Sequence, residues 1–231
     1  MSGTLYGLGV GPGDPELLTL KAVRLLRTVP VIAYPAPLEG VGLARRIVAA
    51  HLPGGQMEIV LRMAFDPTQP PPDAAYDRGA AEIAAQLDQG QDVAVLCEGD
   101  PLFFGSFAYV LERLAGRYPV QVVPGSASPR ACAAALARPL SARDERLVVV
   151  PATRCEDDLA ATLAQCEAAV VMKLGRHLAK VRRVLERLDL AAGAQIVAWA
   201  SHAEQKIMTL DEAERDGVPY FSLVVTRRTS R

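Results

Sequence analysis

Val95-Leu96-Cys97-Glu98-Gly99-Asp100-Pro101-Leu102-Phe103-Phe104-Gly105 sets the reading of this chain. An apolar run stops abruptly at an acid, a glycine, a second acid and a proline. That pattern reads as a buried strand delivering a turn into a pocket with an apolar rim. Open parallel sheets bind ligands outside the carboxyl ends of their strands. Two carboxylates at such a place suit a ligand that is cationic or rich in hydroxyl and amine donors, rather than a phosphate. An ordinary strand closing in a type I turn explains the same residues with no ligand at all.

Working outward, apolar β-like runs alternate with helical patterns. Leu5 to Val10, Val29 to Tyr34, Met57 to Leu61, Asp92 to Leu96 and Val120 to Val123 read as strands. Leu18, Ala22, Leu25, Leu26 and Val29 share one helical face, as do Ala80, Ile83, Ala84 and Leu87. Regular βαβα alternation calls for a parallel sheet covered by helices. A second block begins after Val123-Pro124-Gly125. There Leu147 to Val150, Ala169 to Met172 and Gln195 to Ala200 read as strands, with a helix through Leu178, Val181, Leu185 and Leu188. Lys206 to Leu210 and Tyr220 to Thr226 read as two further strands, which the short acidic link Asp211 to Val218 would pair antiparallel. The expectation is two α/β domains: residues 1–124 with a mostly parallel sheet, and residues 125–231 with a mixed one. Asp66 to Asp73 carries four prolines and reads as a stiff loop, either a solvated connection or a lid.

Composition bounds the class. Half of the 231 residues are hydrophobic and the formal net charge is -1, so a packed core is expected and no overall basic field draws nucleic acid. No apolar run approaches the roughly 20 residues of a membrane span, and the N-terminus lacks the charge and apolar core of a signal peptide. Cys97, Cys132, Cys155 and Cys166 form no C-x-x-C pair, and His51, His177 and His202 form no H-E-x-x-H. The cysteines therefore read as small, reduced packing residues, with no metal site and a cytoplasmic location as the default.

Gly7-Leu8-Gly9-Val10-Gly11-Pro12-Gly13-Asp14 invites a dinucleotide reading that its spacing fails. G-x-G-x-x-G from Gly7 meets Pro12, and from Gly9 it meets Asp14; no Gly-Lys pair completes a P-loop. Asp14 reads instead as a helix N-cap with Pro15 at the first helical position. The loop brings backbone close to a ligand without cradling phosphate.

Three segments together resemble the tetrapyrrole methylase family of S-adenosylmethionine-dependent enzymes. They are Gly9 to Asp14 with Leu17-Leu18-Thr19-Leu20-Lys21-Ala22, then Glu98-Gly99-Asp100-Pro101, then Val123-Pro124-Gly125 with Ser126-Ala127-Ser128. Within the family, Glu98 to Phe104, Lys173-Leu174-Gly175-Arg176-His177-Leu178 and Pro219 to Leu223 are most similar to the subgroup that methylates C-20 of precorrin-2 in cobalamin synthesis. Two departures stand out. Many relatives have a second glycine in place of Glu98, and several have Asp in place of Pro35.

The resemblance implies two α/β domains, a homodimer, and S-adenosylmethionine folded in the cleft between the domains. It implies donor contacts at Pro12, Glu98, Gly99, Asp100, Phe103, Ala127, Ser128, Leu174 and Ala200. It implies a tetrapyrrole substrate, metal-free or cobalt-bound, whose carboxylate arms need basic partners. Arg176, Lys180, Arg183 and Arg187 make one helical stripe, which reads as a solvated face except at Arg176 and His177; Arg62, after its strand, joins these two as a substrate contact. Glu98 is the candidate catalytic base, with donor binding as its other role. A non-catalytic tetrapyrrole or nucleoside binder is the competing class.

Overall fold

A computed structural model describes residues 1–64 and 73–228. The chain divides into two compact units, Met1–Ala127 and Ser128–Arg231. Of the proline-rich stretch 66–73, read as a connection or lid, residues 66–72 lie outside the described residues and Asp73 opens a helix.

In the first unit, β1 (Leu5–Gly9), β2 (Val31–Ala36), β3 (Met57–Arg62), β4 (Val93–Cys97) and β5 (Val120–Val123) form one sheet in the order β3-β2-β4-β1-β5. Every pairing is parallel. The helices are α1 (Leu20–Leu26), α2 (Leu43–Ile47), α3 (Asp73–Asp88) and α4 (Phe107–Leu114). Side chains alternate across the sheet, and both faces are buried, which is why the strands read as continuous apolar runs. Val93, Val95 and Cys97 pack with Ile83 and Leu87 of α3 and Phe107 and Val110 of α4. Ala94 and Leu96 pack on the other face with Ala22 and Leu26 of α1 and Ala44 and Ile47 of α2. Pro35 is tolerated in an interior strand because the ladder from β2 to β4 ends at Ala33.

This topology fixes where a ligand can sit. The connection leaving β1 runs over one face toward β2. The connection leaving β4 runs over the other face toward β5. The two strands are neighbours, so their carboxyl ends form a switch point.

In the second unit, β6 (Leu147–Pro151), β7 (Ala168–Met172), β8 (Gln195–Ala198), β9 (Lys206–Met208) and β10 (Ser222–Arg227) lie in the order β6-β7-β10-β8-β9. β6 and β7 are parallel; the other three pairings are antiparallel. One face carries α6 (Glu156–Leu163), α7 (Leu178–Arg187) and α8 (Leu210–Asp216) through Leu159, Val181, Leu185 and Ala213. The opposite face carries α5 (Ser128–Ala135) through Ala131 and Cys132.

Two expectations are corrected. The acidic link after Lys206 is the helix α8, closed at its start by reciprocal bonds between Thr209 and Glu212, and β9 pairs with β8 rather than β10. Cys155 is exposed at the N-cap of α6, so it is not a packing residue like Cys97, Cys132 and Cys166. Trp199 is half-buried, with its ring tilted against Phe221 at a centroid distance of 4.8 Å.

Candidate functional site

Three loops leave the carboxyl ends of β1, β4 and β5 and pack backbone against backbone. Gly11 and Gly99 form an antiparallel bridge, with the Gly99 N–H donating to the Gly11 carbonyl at 2.8 Å and the Gly11 N–H to the Gly99 carbonyl at 3.2 Å. Both glycines have positive φ, 77° and 69°, a conformation that an L side chain resists. Gly125 closes the third side: a Cβ there would stand 2.1 Å from the Gly99 carbonyl oxygen and 2.9 Å from Gly9. Sequence spacing shows the glycines but not that three loops share one contact.

The acids of the second loop organise this cluster. Asp100 Oδ1 accepts the Leu102 N–H at 2.9 Å, and Oδ2 accepts the Gly125 N–H at 3.1 Å. One carboxylate thus ties the β4 loop to the Pro124-Gly125 turn. Glu98 Oε1 accepts the Ala44 N–H at 3.1 Å, in the first turn of α2, whose N-cap Gly42 has no side chain to offer. Burial pushes the Glu98 carboxyl above its ordinary range, against the opposing pull of the Ala44 N–H and the Arg46 charge. Both acids stand beside the switch point with their oxygens holding main-chain donors.

Around this cluster Pro12 is buried in the first loop, and Asp14 caps the following 3-10 turn by accepting the Glu16 N–H at 2.8 Å. Thr19 then caps α1 by accepting the Ala22 N–H at 3.1 Å. Leu102, Phe103 and Phe104 are exposed, with the two phenyl rings edge to face at 5.2 Å. Phe104 holds a φ of 57°. The structure therefore brings Pro12, Glu98, Gly99, Asp100 and Phe103 to one end of one sheet. Ala127 closes the first unit and Ser128 opens α5 in the second.

The remaining sequence candidates have different surroundings. Arg62 is exposed and its Nη1 donates to the Pro37 and Gly40 carbonyls at 2.8 and 2.5 Å, steadying the loop after β2. In the second unit Leu174 and Ala200 are buried just past β7 and β8, on either side of the start of β10. The Leu174 N–H donates to Ser222 at 3.2 Å and the Trp199 N–H to Phe221 at 2.9 Å. Lys173, Trp199 and Ser201 flank these two positions with φ of 57°, 53° and 66°. Arg176 is exposed and His177 is half-buried, its imidazole pushed below the ordinary range by burial and by the Lys180 and Arg176 charges. Of the basic stripe, Arg183 pairs with Glu156 at 2.7 Å and Lys180 donates to the Arg154 carbonyl, as a solvated helix face would.

The chain matches the model of the Tetrapyrrole (Corrin/Porphyrin) Methylases over residues 4–214. It is 40% identical to the cobalamin biosynthesis protein CobIJ of Mycobacterium tuberculosis (strain ATCC 25618 / H37Rv), a match covering 96% of this chain and 46% of that protein. The chain thus spans about half the length of that relative. It is also 40% identical to the precorrin-2 C(20)-methyltransferase of Sinorhizobium sp, over 96% of this chain and 94% of the relative. Identity to the cobalt-precorrin-2 C(20)-methyltransferase of Salmonella typhimurium is 30%, over 99% and 98%. Among solved structures, the uroporphyrin-III C-methyl transferase of Thermus thermophilus complexed with S-adenosyl homocysteine has a TM-score of 0.72 and 26% identity, covering 97% of this chain and 92% of that one. A family match that runs through both units, and a glycine-tight junction of three loops at the switch point of the first, lead to one conclusion: the chain belongs to the tetrapyrrole methylase family.

Proposed function

We propose that this chain transfers the methyl group of S-adenosylmethionine to carbon 20 of precorrin-2, giving precorrin-3A. The observation that carries the reading is the 40% identity to a precorrin-2 C(20)-methyltransferase along 94% of that relative's length. The first unit's loop junction supports the donor's part in it. Backbones that approach as closely as Gly9, Gly99 and Gly125 leave main-chain N–H and carbonyl groups as the wall of the site, which suits a ligand rich in amine and hydroxyl groups. Asp100 and Glu98 add carboxyl groups as partners for a sulfonium. Pro12 and Phe103 supply apolar contact, and the reading adds Ala127 and Ser128 at the turn after β5 and Leu174 and Ala200 from the second unit.

The donor, when bound, supplies a methyl on sulfur with a good leaving group. The substrate's meso carbon, activated by a pyrrole nitrogen as in an enamine, is the nucleophile. The protein's task is then to bring two reactants together and exclude water, effects that account for about 7–11 kcal/mol of barrier lowering. A proton leaves carbon 20 in the reaction. Glu98 is the proposed acceptor, since its raised proton affinity suits that step. Arg62, Arg176 and His177 are proposed contacts for the substrate's carboxylate arms, and a homodimer is the proposed assembly.

The cobalt-bound macrocycle is the second reading, favoured by the 30% identity to the Salmonella relative. Incubation of the protein with S-adenosylmethionine and each macrocycle, followed by mass and NMR location of the added carbon, separates them. One methyl at carbon 20 of the metal-free ring is the expected result. Methylation only of the cobalt form overturns the first reading, and a methyl at any other carbon overturns both.

A further inference from the structure

The second unit's sheet ends in a group of polar side chains that the donor contacts do not use. Leu174 is the hub. Its N–H donates to the Ser222 carbonyl at 3.2 Å, and its own carbonyl accepts the His177 N–H at 2.7 Å. Lys173, the residue before it, closes β7 with a φ of 57°. Lys173, His177 and Ser222 are therefore tied to one another through the main chain of a single residue.

Their side chains lack partners. Ser222 is 0% exposed and its Oγ has no hydrogen-bond partner among the described residues; the same holds for the buried Nε2 of His177. Alternation along β10 puts Ser222 on the same face as Val224, which packs with Leu174 and Leu178 at the start of α7. His177 directly precedes Leu178. Lys173 is half-buried and makes no ion pair or hydrogen bond among the described residues. Burial pushes its ammonium below the ordinary lysine range, with no carboxylate among the described residues to offset that.

Buried donors left without an acceptor are costly, and folded proteins rarely keep them without a use. A hydroxyl and an ammonium donate, and so does the imidazole in the tautomer that carries its proton on Nε2. The complementary ligand accepts and carries negative charge, and a carboxylate, with two oxygens and about four lone-pair sites, fits that description. We propose that Lys173, His177 and Ser222 form an anion site that holds a carboxylate side arm of the substrate. This rests on the functional reading above, in which the macrocycle carries several such arms, and it adds Lys173 and Ser222 to the residues that choose the substrate.

Trp199 gives the readout. It is the single tryptophan, and its ring lies 4.8 Å from Phe221, the residue before Ser222. Quenching of its emission on titration with uroporphyrin III, a porphyrin with eight carboxylic acids, reports binding. The octamethyl ester of the same porphyrin is the uncharged control. The wild-type protein is expected to bind the acid and not the ester. Lys173→Met is expected to weaken acid binding about tenfold and Ser222→Ala about threefold, while Lys173→Arg restores affinity to about wild-type level. Calorimetric affinity for S-adenosylhomocysteine is expected to stay unchanged in all three, which also shows that they fold. Equal acid binding by Lys173→Met, in a wild-type background that methylates precorrin-2, overturns the anion site and leaves the functional reading standing. Loss of S-adenosylhomocysteine affinity in Lys173→Met, with porphyrin binding intact, assigns the site to the donor's carboxylate and overturns the proposal. A wild-type protein that neither binds the porphyrin nor methylates a tetrapyrrole overturns both.

Discussion

At the end of the first unit's sheet, both oxygens of Asp100 hold backbone N–H groups and Glu98 holds a third. At the end of the second unit's sheet, the Ser222 hydroxyl and the Nε2 atoms of His177 and His202 are buried with no partner among the described residues. The first region spends its charged side chains on its own main chain, and its glycines let three backbones touch. The second spends main-chain bonds on holding side chains in strained positions, with Lys173, Trp199 and Ser201 all at positive φ. A loop junction whose carboxyl groups hold its own main chain is a rigid wall. A strand end with unmatched donors is a place for a ligand's own polar groups.

The largest expected effect comes from breaking the wall. Gly125→Ala would push a Cβ to 2.1 Å from the Gly99 carbonyl oxygen, where only backbone can yield. Overpacking of this kind costs about 1–3 kcal/mol of stability, and the displaced loops are expected to lose S-adenosylhomocysteine affinity about 100-fold. Thermal unfolding and calorimetry check both; unchanged donor affinity in a folded variant would separate the junction from donor binding.

Truncating one polar side chain in each region sharpens the contrast. Asp100→Ala removes the acceptor from two backbone N–H groups and is expected to cost about 1–2 kcal/mol and about tenfold in donor affinity, with Asp100→Asn between it and wild type. Ser222→Ala removes a buried hydroxyl that has no partner, so its thermal midpoint is expected to match or exceed that of the wild type. A Ser222→Ala protein that unfolds as readily as Asp100→Ala would erase the distinction between the two regions.

The smallest effect is at Glu98. Its folded-state proton affinity is raised above that of an unfolded glutamate, with burial as the main cause. Its contribution to stability is therefore fully present below the unfolded value and is lost as pH rises through the raised folded one. Glu98→Gln keeps an oxygen for the Ala44 N–H but does not titrate. As pH climbs above the ordinary carboxylate range, the wild type is expected to lose midpoint relative to Glu98→Gln. A wild type that gains on the variant over that window would mean that its carboxylate is favoured by its surroundings, not penalised.

The first region was the more legible from sequence because its elements are marked by type and order. The apolar face Ala80, Ile83, Ala84, Leu87 follows a local rule that packing did not overrule, whereas Asp14, read as the helix N-cap, caps a 3-10 turn and the helix itself starts after Thr19. The order Glu98-Gly99-Asp100 pointed to a turn at a strand end, but not to what its oxygens would hold. That depends on the Gly125 and Ala44 N–H groups, far off in sequence. In the second unit the link after Lys206 was misread because a seven-residue acidic helix has too few apolar positions to show a period; the Thr209 and Glu212 spacing was the signal to weigh. Ser222 and Lys173 drew no separate notice. A serine opening a strand and a lysine closing one are ordinary until register and burial leave them without partners.

The central claim is that the loops after β1, β4 and β5 hold the methyl donor. A crystal structure of the protein soaked with S-adenosylhomocysteine tests it most directly. The account expects the ligand to hydrogen-bond main-chain groups within Glu98–Asp100 and around Ala127, with Pro12 and Phe103 in van der Waals contact. A ligand bound at the amino ends of these strands, or on a surface that none of the three loops reaches, would contradict it.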